Sequence, residues 1–314
     1  MTVGSMASVG CNSPAVDTLT QIKQRGEIHF LTRNSPTTYY EGVDGPTGLE
    51  YDLMKRFADQ LGVKLRVTMP ENFADIIPMI ATGQADIAAA GLTVTGSRRS
   101  RIRFGPAYQK IRQEVIYRAG KEIPSKIEDL IGKRVVVVRG SSHEAQLRKL
   151  AESYPDLMWE SVEDRSSEEL IAEVWKGNID FTVADSNEMA INQAFYPEAR
   201  SAFPITQDEF LAWGISPRPD KSLDSAVKDF FEALKRSGEL DQLLERYYSH
   251  TRGFNYTETR ILRHHIKKRL TLYLPYFKEA GRLYQIDWRF LAAIGYQESH
   301  WKRRAISPTG VRGI

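Results

Sequence analysis

Cysteine is almost missing from this chain: Cys11 is the single one in 314 residues, so no intrachain disulfide framework can form. Long apolar runs are missing too, and no segment approaches the ~18 consecutive apolar residues that cross a bilayer. No repeat of a solenoid period and no low-complexity tract is present, which excludes repeat arrays. Charge of one sign is scarce: 43 Lys+Arg face 40 Asp+Glu, a net charge of +3. That excess is too small to argue for nucleic acid. What remains is ordinary for a globular protein, with 41% hydrophobic and 26% charged residues. A disordered or fibrous chain is excluded, and the length suggests about two domains.

Cys11 follows Ala7-Ser8-Val9-Gly10, a partial match to the small-residue stretch before a lipidated cysteine. The apolar signal stretch that should precede it is absent, and Met1 to Ala7 reads as a leader to be left out of fold reasoning. Lipid attachment and an incidental cysteine both fit.

The pattern predicts a helix over Asp17–Gln24, capped by Asp17 and stopped at Gly26. Strands are expected at Glu27–Arg33, Val63–Met69 and Asp86–Ala90, and helices at Tyr51–Leu61 and Phe73–Thr82. This β-α-β-α-β order implies an α/β domain with a parallel sheet. A further strand, Glu114–Arg118, precedes a second such unit. That unit has strands at Arg134–Val138, Leu157–Ser161 and Phe181–Ala184, and helices from Ser142 to Leu150 and from Ser167 to Lys176. A late strand at Phe210–Ser216 and a helical stretch Ser222–Tyr248 complete it. Two similar lobes joined near residues 112–118 and again near 211–216 would enclose one cleft.

Ligands of α/β sheets collect beyond the carboxyl ends of strands. Three such ends carry suitable chemistry here. One leads to Thr93 and Arg98, one to Ser141 and Ser142 at a helix N-terminus, and one to Asp185. A guanidinium and a helix N-terminus suit a carboxylate, and a lone Asp across the cleft suits an ammonium. An α-amino acid presents both groups. Each residue also has a bland reading. Arg98 lies in a basic run, and Ser141, Ser142 and Asp185 could be plain helix caps.

The stretches Gly48–Leu65 and Ile76–Tyr108 resemble the periplasmic amino-acid-binding proteins of ABC transporters, and the likeness runs from residue 17 to about 250. It implies a two-lobe type II periplasmic-binding-protein fold. By that resemblance Arg98 grips a ligand carboxylate, Thr93 lies near the amine, the Ser142 backbone N–H meets the carboxylate, and Asp185 takes the amine, with Ser141 beside Ser142 at the same helix N-terminus. Tyr39 or Tyr40 supplies an aromatic wall. Gly96-Ser97 departs from the family, which often has an acidic residue before the arginine.

Composition changes after Gly253, to a helical and basic stretch with H-H-I-K-K-R at His264–Arg269. Nucleic acid is not called for, because the basic and aromatic residues there fit an amphipathic helix. Asp287 is a good N-cap for a helix through Ser299. On it Leu291, Ile294 and Glu298 share one face, which predicts a partly desolvated carboxyl of raised pKa suited to general acid work. A surface glutamate at a helix end is the alternative. A glycosidase normally pairs two carboxylates 5–9.5 Å apart. Asp287 lies eleven positions upstream, about 16 Å along a helix, and no acid follows Glu298.

The runs Ala292–Trp301 and Ser307–Gly313 resemble the start of the goose-type-lysozyme-like catalytic domain of lytic transglycosylases. That resemblance makes Glu298 the single catalytic acid/base. It implies cleavage of the MurNAc–GlcNAc β-1,4 bond of peptidoglycan without water. The glutamate protonates the leaving oxygen and then deprotonates the C6 hydroxyl, giving a 1,6-anhydromuramoyl product. One carboxylate suffices because the nucleophile is intramolecular. Together the halves resemble the F family of membrane-bound lytic transglycosylases. The expected layout is a leader or anchor region over 1–16 and a regulatory binding domain over 17–252. Its first lobe covers about 17–112 and 216–252, its second about 113–215, and an incomplete helical catalytic segment fills 253–314. Partners expected from the resemblance are glycan strands, an amino acid or muropeptide-derived peptide in the cleft, and a membrane through an N-terminal anchor. The place would be the periplasm, at the outer membrane. No cofactor or metal is expected. A receptor module without activity of its own is the alternative.

Overall fold

The computed structural model describes residues 16–42, 44–248, 262 and 265–302. Cys11, the leader, His264 and the run Ser307–Gly313 lie outside the described residues. The chain divides into two compact units, one holding residues up to Tyr40 and Pro46–Thr251, the other Glu41–Gly45 and Arg252–Ile314.

In chain order the first unit begins α1 (Thr18–Arg25), β1 (Glu27–Leu31), α2 (Leu49–Leu61), β2 (Lys64–Thr68), α3 (Ile76–Ala81), β3 (Ile87–Ala88), α4 (Gly96–Arg99) and β4 (Arg103–Phe104). It continues β5 (Gln109–Ile111), β6 (Gln113–Arg118), β7 (Val136–Val138), α5 (Ser142–Ala151), β8 (Glu160–Val162), α6 (Ser167–Lys176), β9 (Thr182–Asp185) and α7 (Ser186–Asn192). It ends β10 (Ala199–Pro204), β11 (Glu209–Leu211), β12 (Gly214–Ile215), α8 (Ser222–Ser237) and α9 (Glu239–Tyr248). The Asp17 cap forms, its carboxylate accepting from the Thr20 amide, and Gly26 ends α1 in the left-handed region at φ 70°.

Lobe 1 is a sheet of order β2-β1-β3-β12-β4. β1 runs parallel to β2 and β3, and β12 runs antiparallel to β3 and β4. In lobe 2, β7 and β8 are parallel, a bridge Val135↔Phe181 joins them to β9, and β6 pairs antiparallel with β9 and β10. Strands β5 and β11 form a separate antiparallel ribbon, Gln109 opposite Leu211, that carries the chain between the lobes. The late strand expected at Phe210–Ser216 is thus two strands with different partners. Ala212-Trp213 separates them, and burial of Trp213 in lobe 1 turns the chain out of the ribbon. Helix Ser222–Tyr248 is likewise interrupted, at Gly238 with φ 75°.

Trp213 is fully buried and touches Phe30, Phe57, Phe230 and Phe231, with ring centroids 4.8–5.8 Å apart. It ties β12 to β1, α2 and α8. Beside this core lies a buried carboxyl, Glu50 of α2. Its Oε1 accepts from the Gly91 amide at 3.1 Å and from the Tyr108 hydroxyl, while Oε2 is buried without a hydrogen-bond partner. Burial pushes the Glu50 carboxyl up to about 7, although both hydrogen bonds and Arg33 pull the other way.

In the second unit a π-turn at Ile266–Leu270 leads into α10 (Thr271–Tyr284), followed by α11 (Trp288–Ser299). Gln285 turns the corner at φ 53°, and a Cβ on Gly281 would come within 2.7 Å of the Ile286 carbonyl. Asp287 caps α11 as expected, accepting from the Arg289 amide at 2.8 Å. The buried face of α11 is not the predicted one. Ala292 and Ser299 are buried, and the Trp301 indole folds back to donate to the Ala292 carbonyl at 2.9 Å. Tyr296 packs on the rings of His265, His300 and Trp301. Covering that face leaves Ile294 at 45% exposure and Glu298 exposed, so the expected desolvation of the Glu298 carboxyl does not occur among the described residues.

Truncating Trp213 to Ala should cost about 3–5 kcal/mol in urea unfolding of the first unit, whereas Phe210→Ala, at a half-exposed ribbon position, should cost less than about 1 kcal/mol. Glu50 has a folded pKa raised above its unfolded value, so the proton it retains stabilises the fold below about pH 4.5, and that stability is lost as pH rises through about 7. Glu50→Gln keeps an oxygen for Gly91 and Tyr108. It should flatten this part of the pH dependence and be more stable than the parent at pH 8, by up to about 3 kcal/mol. Equal pH profiles for both proteins would contradict it.

Candidate functional site

The loops that follow the strands of both lobes meet across the cleft. Arg98 leaves α4, whose Thr95 cap orients the turn, and is 7% exposed. Its guanidinium donates to the Thr93 carbonyl at 3.0 Å and, across the cleft, to the Gly140 carbonyl at 3.4 Å. Both acceptors are neutral, and Arg98 makes no ion pair among the described residues. Burial lowers its pKa to about 10, against the weaker pull of Asp185 and Glu209. A buried guanidinium held only by carbonyls is an electrostatic demand for an anion. Ser141 caps α5 by accepting from the Glu144 amide, and Ser142 Oγ lies 3.1 Å from Thr93 Oγ1 of lobe 1. Gly140, at φ 72°, brings the backbone of lobe 2 so close that a Cβ would sit 2.9 Å from Ala74 Cβ.

The opposite wall is acidic. Asp185 ends β9 and caps α7, and His143 Nε2 lies 2.9 Å from its Oδ1. Burial works against charging His143, but Asp185 and then Glu188 outweigh it, and the imidazole pKa is raised. Glu188 on α7 and Glu168 on α6 are 2% and 1% exposed. Burial raises the Glu188 pKa, with Arg33 opposing and Glu168 and Asp185 adding to the rise. Arg33, from the loop after β1 in lobe 1, reaches across to pair with Glu188 and lies 3.6 Å from Glu168, which also accepts from Ser35 Oγ. Burial disfavours its charge, yet the two glutamates hold it firmly protonated. Its Nε donates to the Ala90 carbonyl at 3.2 Å. Phe73 lies between the two arginines, with each guanidinium carbon 5.8 Å from the ring centroid.

His143, Asp185 and Glu188 are the group of described residues able to offer ligand atoms to one metal ion, within 4.8 Å of one another. Arg33 already neutralises Glu188 there.

The structure therefore gathers Thr93, Arg98, Ser141, Ser142 and Asp185 around one cleft. Tyr39 and Tyr40 sit elsewhere in lobe 1: Tyr39 packs edge-on against Tyr51, with centroids 5.5 Å apart, and Tyr40 lies beside Thr47 and Asp52. The aromatic ring at Arg98 is Phe73. Sequence reasoning missed Arg33, Phe73, His143, Glu168 and Glu188. The available signal was their position one to three residues past a strand end or in the first turn of a helix facing the cleft. Glu298 belongs to the second unit.

Among the described residues no helix is long and apolar enough to cross a membrane. Residues 27–250 match the bacterial extracellular solute-binding proteins, family 3, and residues 275–314 match the Transglycosylase SLT domain. The chain is 43% identical to membrane-bound lytic murein transglycosylase F 1 of Alkalilimnicola ehrlichii over 94% of its own length and 60% of that protein. It is 40% identical to membrane-bound lytic murein transglycosylase F of Saccharophagus degradans, over 95% of its length and 59% of that protein. It thus spans about three fifths of the length of the curated relatives it matches. Among solved structures, a mutant of ArgBP from T. maritima superposes with TM-score 0.67 at 25% identity, covering 74% of this chain and 99% of that one. The two lobes and their ribbon have the periplasmic-binding-protein fold, and with residues 27–250 matched the chain belongs to the bacterial extracellular solute-binding proteins, family 3.

Proposed function

We propose that the cleft binds a zwitterion, an amino acid or a small wall-derived peptide, and that its occupancy regulates a peptidoglycan lytic transglycosylase of which Glu298 is the catalytic acid/base. One observation carries the cleft reading: Arg98 is buried with only carbonyl partners, facing an acidic wall across the cleft. A ligand carboxylate satisfies Arg98 with Thr93 and Ser142 beside it, and the ligand ammonium is taken by Asp185. The enzymatic half rests on the Transglycosylase SLT match and the names of the curated relatives.

In that reaction Glu298 protonates the glycosidic oxygen between MurNAc and GlcNAc and then removes the proton of the C6 hydroxyl. The product is a 1,6-anhydromuramoyl end, with no water consumed. The carboxyl is exposed in the described segment, so bound glycan would supply its desolvation. Attachment to the outer membrane on its periplasmic side, through an N-terminal anchor, belongs to the same proposal. A second reading, a receptor module with no lytic activity in this chain, is supported by the well-formed cleft of the first unit and, separately, by the exposure of Glu298 among the described residues of the second.

Purified peptidoglycan incubated with this chain, with a form extended to the relatives' length, and with the extended Glu298→Gln variant decides the enzymatic half. Anhydro-muropeptides from the extended form, lost in the glutamine variant, are expected by mass spectrometry. No product from the extended form would overturn it. In the cleft, Arg98→Met should weaken calorimetric binding of a zwitterionic ligand by about 100-fold or more. Unchanged affinity would remove Arg98 from the site.

A further inference from the structure

Arg33 has surroundings that describe a binding site rather than a surface ion pair. Its guanidinium packs against the Phe73 ring, pairs with Glu188, lies 3.6 Å from Glu168 and donates to the Ala90 carbonyl. An aromatic face, two buried carboxylates and a carbonyl are the groups that recognise an arginine side chain brought by a ligand. The Arg98 guanidinium also lies 5.8 Å from the Phe73 ring centroid, so this pocket adjoins the place assigned to the ligand carboxylate. The two glutamates come from lobe 2 and Arg33 from lobe 1, so the pocket is assembled when the lobes meet. We propose that Arg33 is a built-in occupant of a guanidinium subsite formed by Phe73, Glu168 and Glu188, and that it makes the cleft reject ligands with a cationic side chain. This rests on the cleft reading above and narrows it to ligands whose side chain is neutral or acidic.

The charges support the exclusion. Arg33 pairs with Glu188 and lies 3.6 Å from Glu168, His143 engages one oxygen of Asp185, and Arg98 is the buried cation without an ion-pair partner among the described residues. A zwitterion adds one carboxylate for Arg98 and one ammonium for Asp185. A second ligand cation would meet the Arg33 guanidinium where both are largely shielded from water, and like-charge contact there is strongly disfavoured.

The test uses this chain, its Arg33→Ala variant and its Arg33→Lys variant, which keeps the charge without the planar fork. Calorimetry with L-arginine and L-lysine should give no binding to the parent and none to Arg33→Lys at millimolar ligand. Arg33→Ala should bind L-arginine with an affinity at least about tenfold above the weakest that would be detected for the parent. Independently of any amino acid, about 10 mM ethylguanidinium should raise the melting temperature of Arg33→Ala and leave the parent unchanged. Equal affinity of parent and Arg33→Ala for L-arginine, with no ethylguanidinium effect, overturns the inference. Ethylguanidinium rescue with no zwitterion bound by any of the three proteins upholds the subsite and its internal arginine and instead overturns the cleft reading on which the exclusion of ligands depends.

Discussion

Buried charge is the constraint on which this cleft depends. Glu168, Glu188, Asp185, Arg33, Arg98 and His143 all gather at one seam between two lobes. Such groups stay buried only when each meets an opposite charge or enough hydrogen-bond partners. Arg33 supplies one opposite charge to the two glutamates by crossing from lobe 1 to lobe 2, so the same contact offsets part of the buried negative charge and links the lobes. Arg98 is the exception, satisfied by carbonyls alone. The asymmetry gives the site its direction: an acidic wall faces a guanidinium that has no carboxylate partner among the described residues.

The scaffold is arranged to deliver these groups. Strands β1 and β3 of lobe 1 lead into the loops that hold Arg33 and Ala90-Gly91. In lobe 2, β7 leads into Gly140 before α5, and β9 ends at Asp185, where α7 begins. The β5–β11 ribbon is the only paired strand element shared by the two lobes among the described residues, and Tyr248 of α9 bonds both Gln109 on it and Asn187 on α7. Motion between the lobes therefore concentrates at a narrow connection, while Trp213 and its ring of phenylalanines anchor lobe 1 immediately beyond it.

Much of this was legible from residues alone. Asp17, Gly26, Gly62, Gly177 and Asp287 punctuate helices as their side chains or their lack of one require. The V-V-V core of β7 announced a buried strand, and strand ends located Arg98, Ser142 and Asp185. The rest was not legible for physical reasons. Phe210–Ser216 looks like one strand because its apolar pattern is continuous, yet tertiary burial of Trp213 divides it. Glu298 shares a helical face with Leu291 and Ile294, but helical spacing shows only which residues are neighbours, and Trp301 folding onto Ala292 decides which face is covered. Arg33 looked like the end of a strand, because the partners that define it lie more than 130 residues away.

The central claim is that Arg33 links the two lobes through Glu188 and Glu168. Paired spin labels measure this directly. With Cys11 changed to Ser, labels at Gln60→Cys in lobe 1 and Lys149→Cys in lobe 2, both exposed, report one distance across the cleft. A single narrow distance distribution without ligand, shifting longer and broadening when Arg33→Ala is added, is the expected result. A broad, long distribution in the ligand-free parent, unaltered by that substitution, would contradict the account.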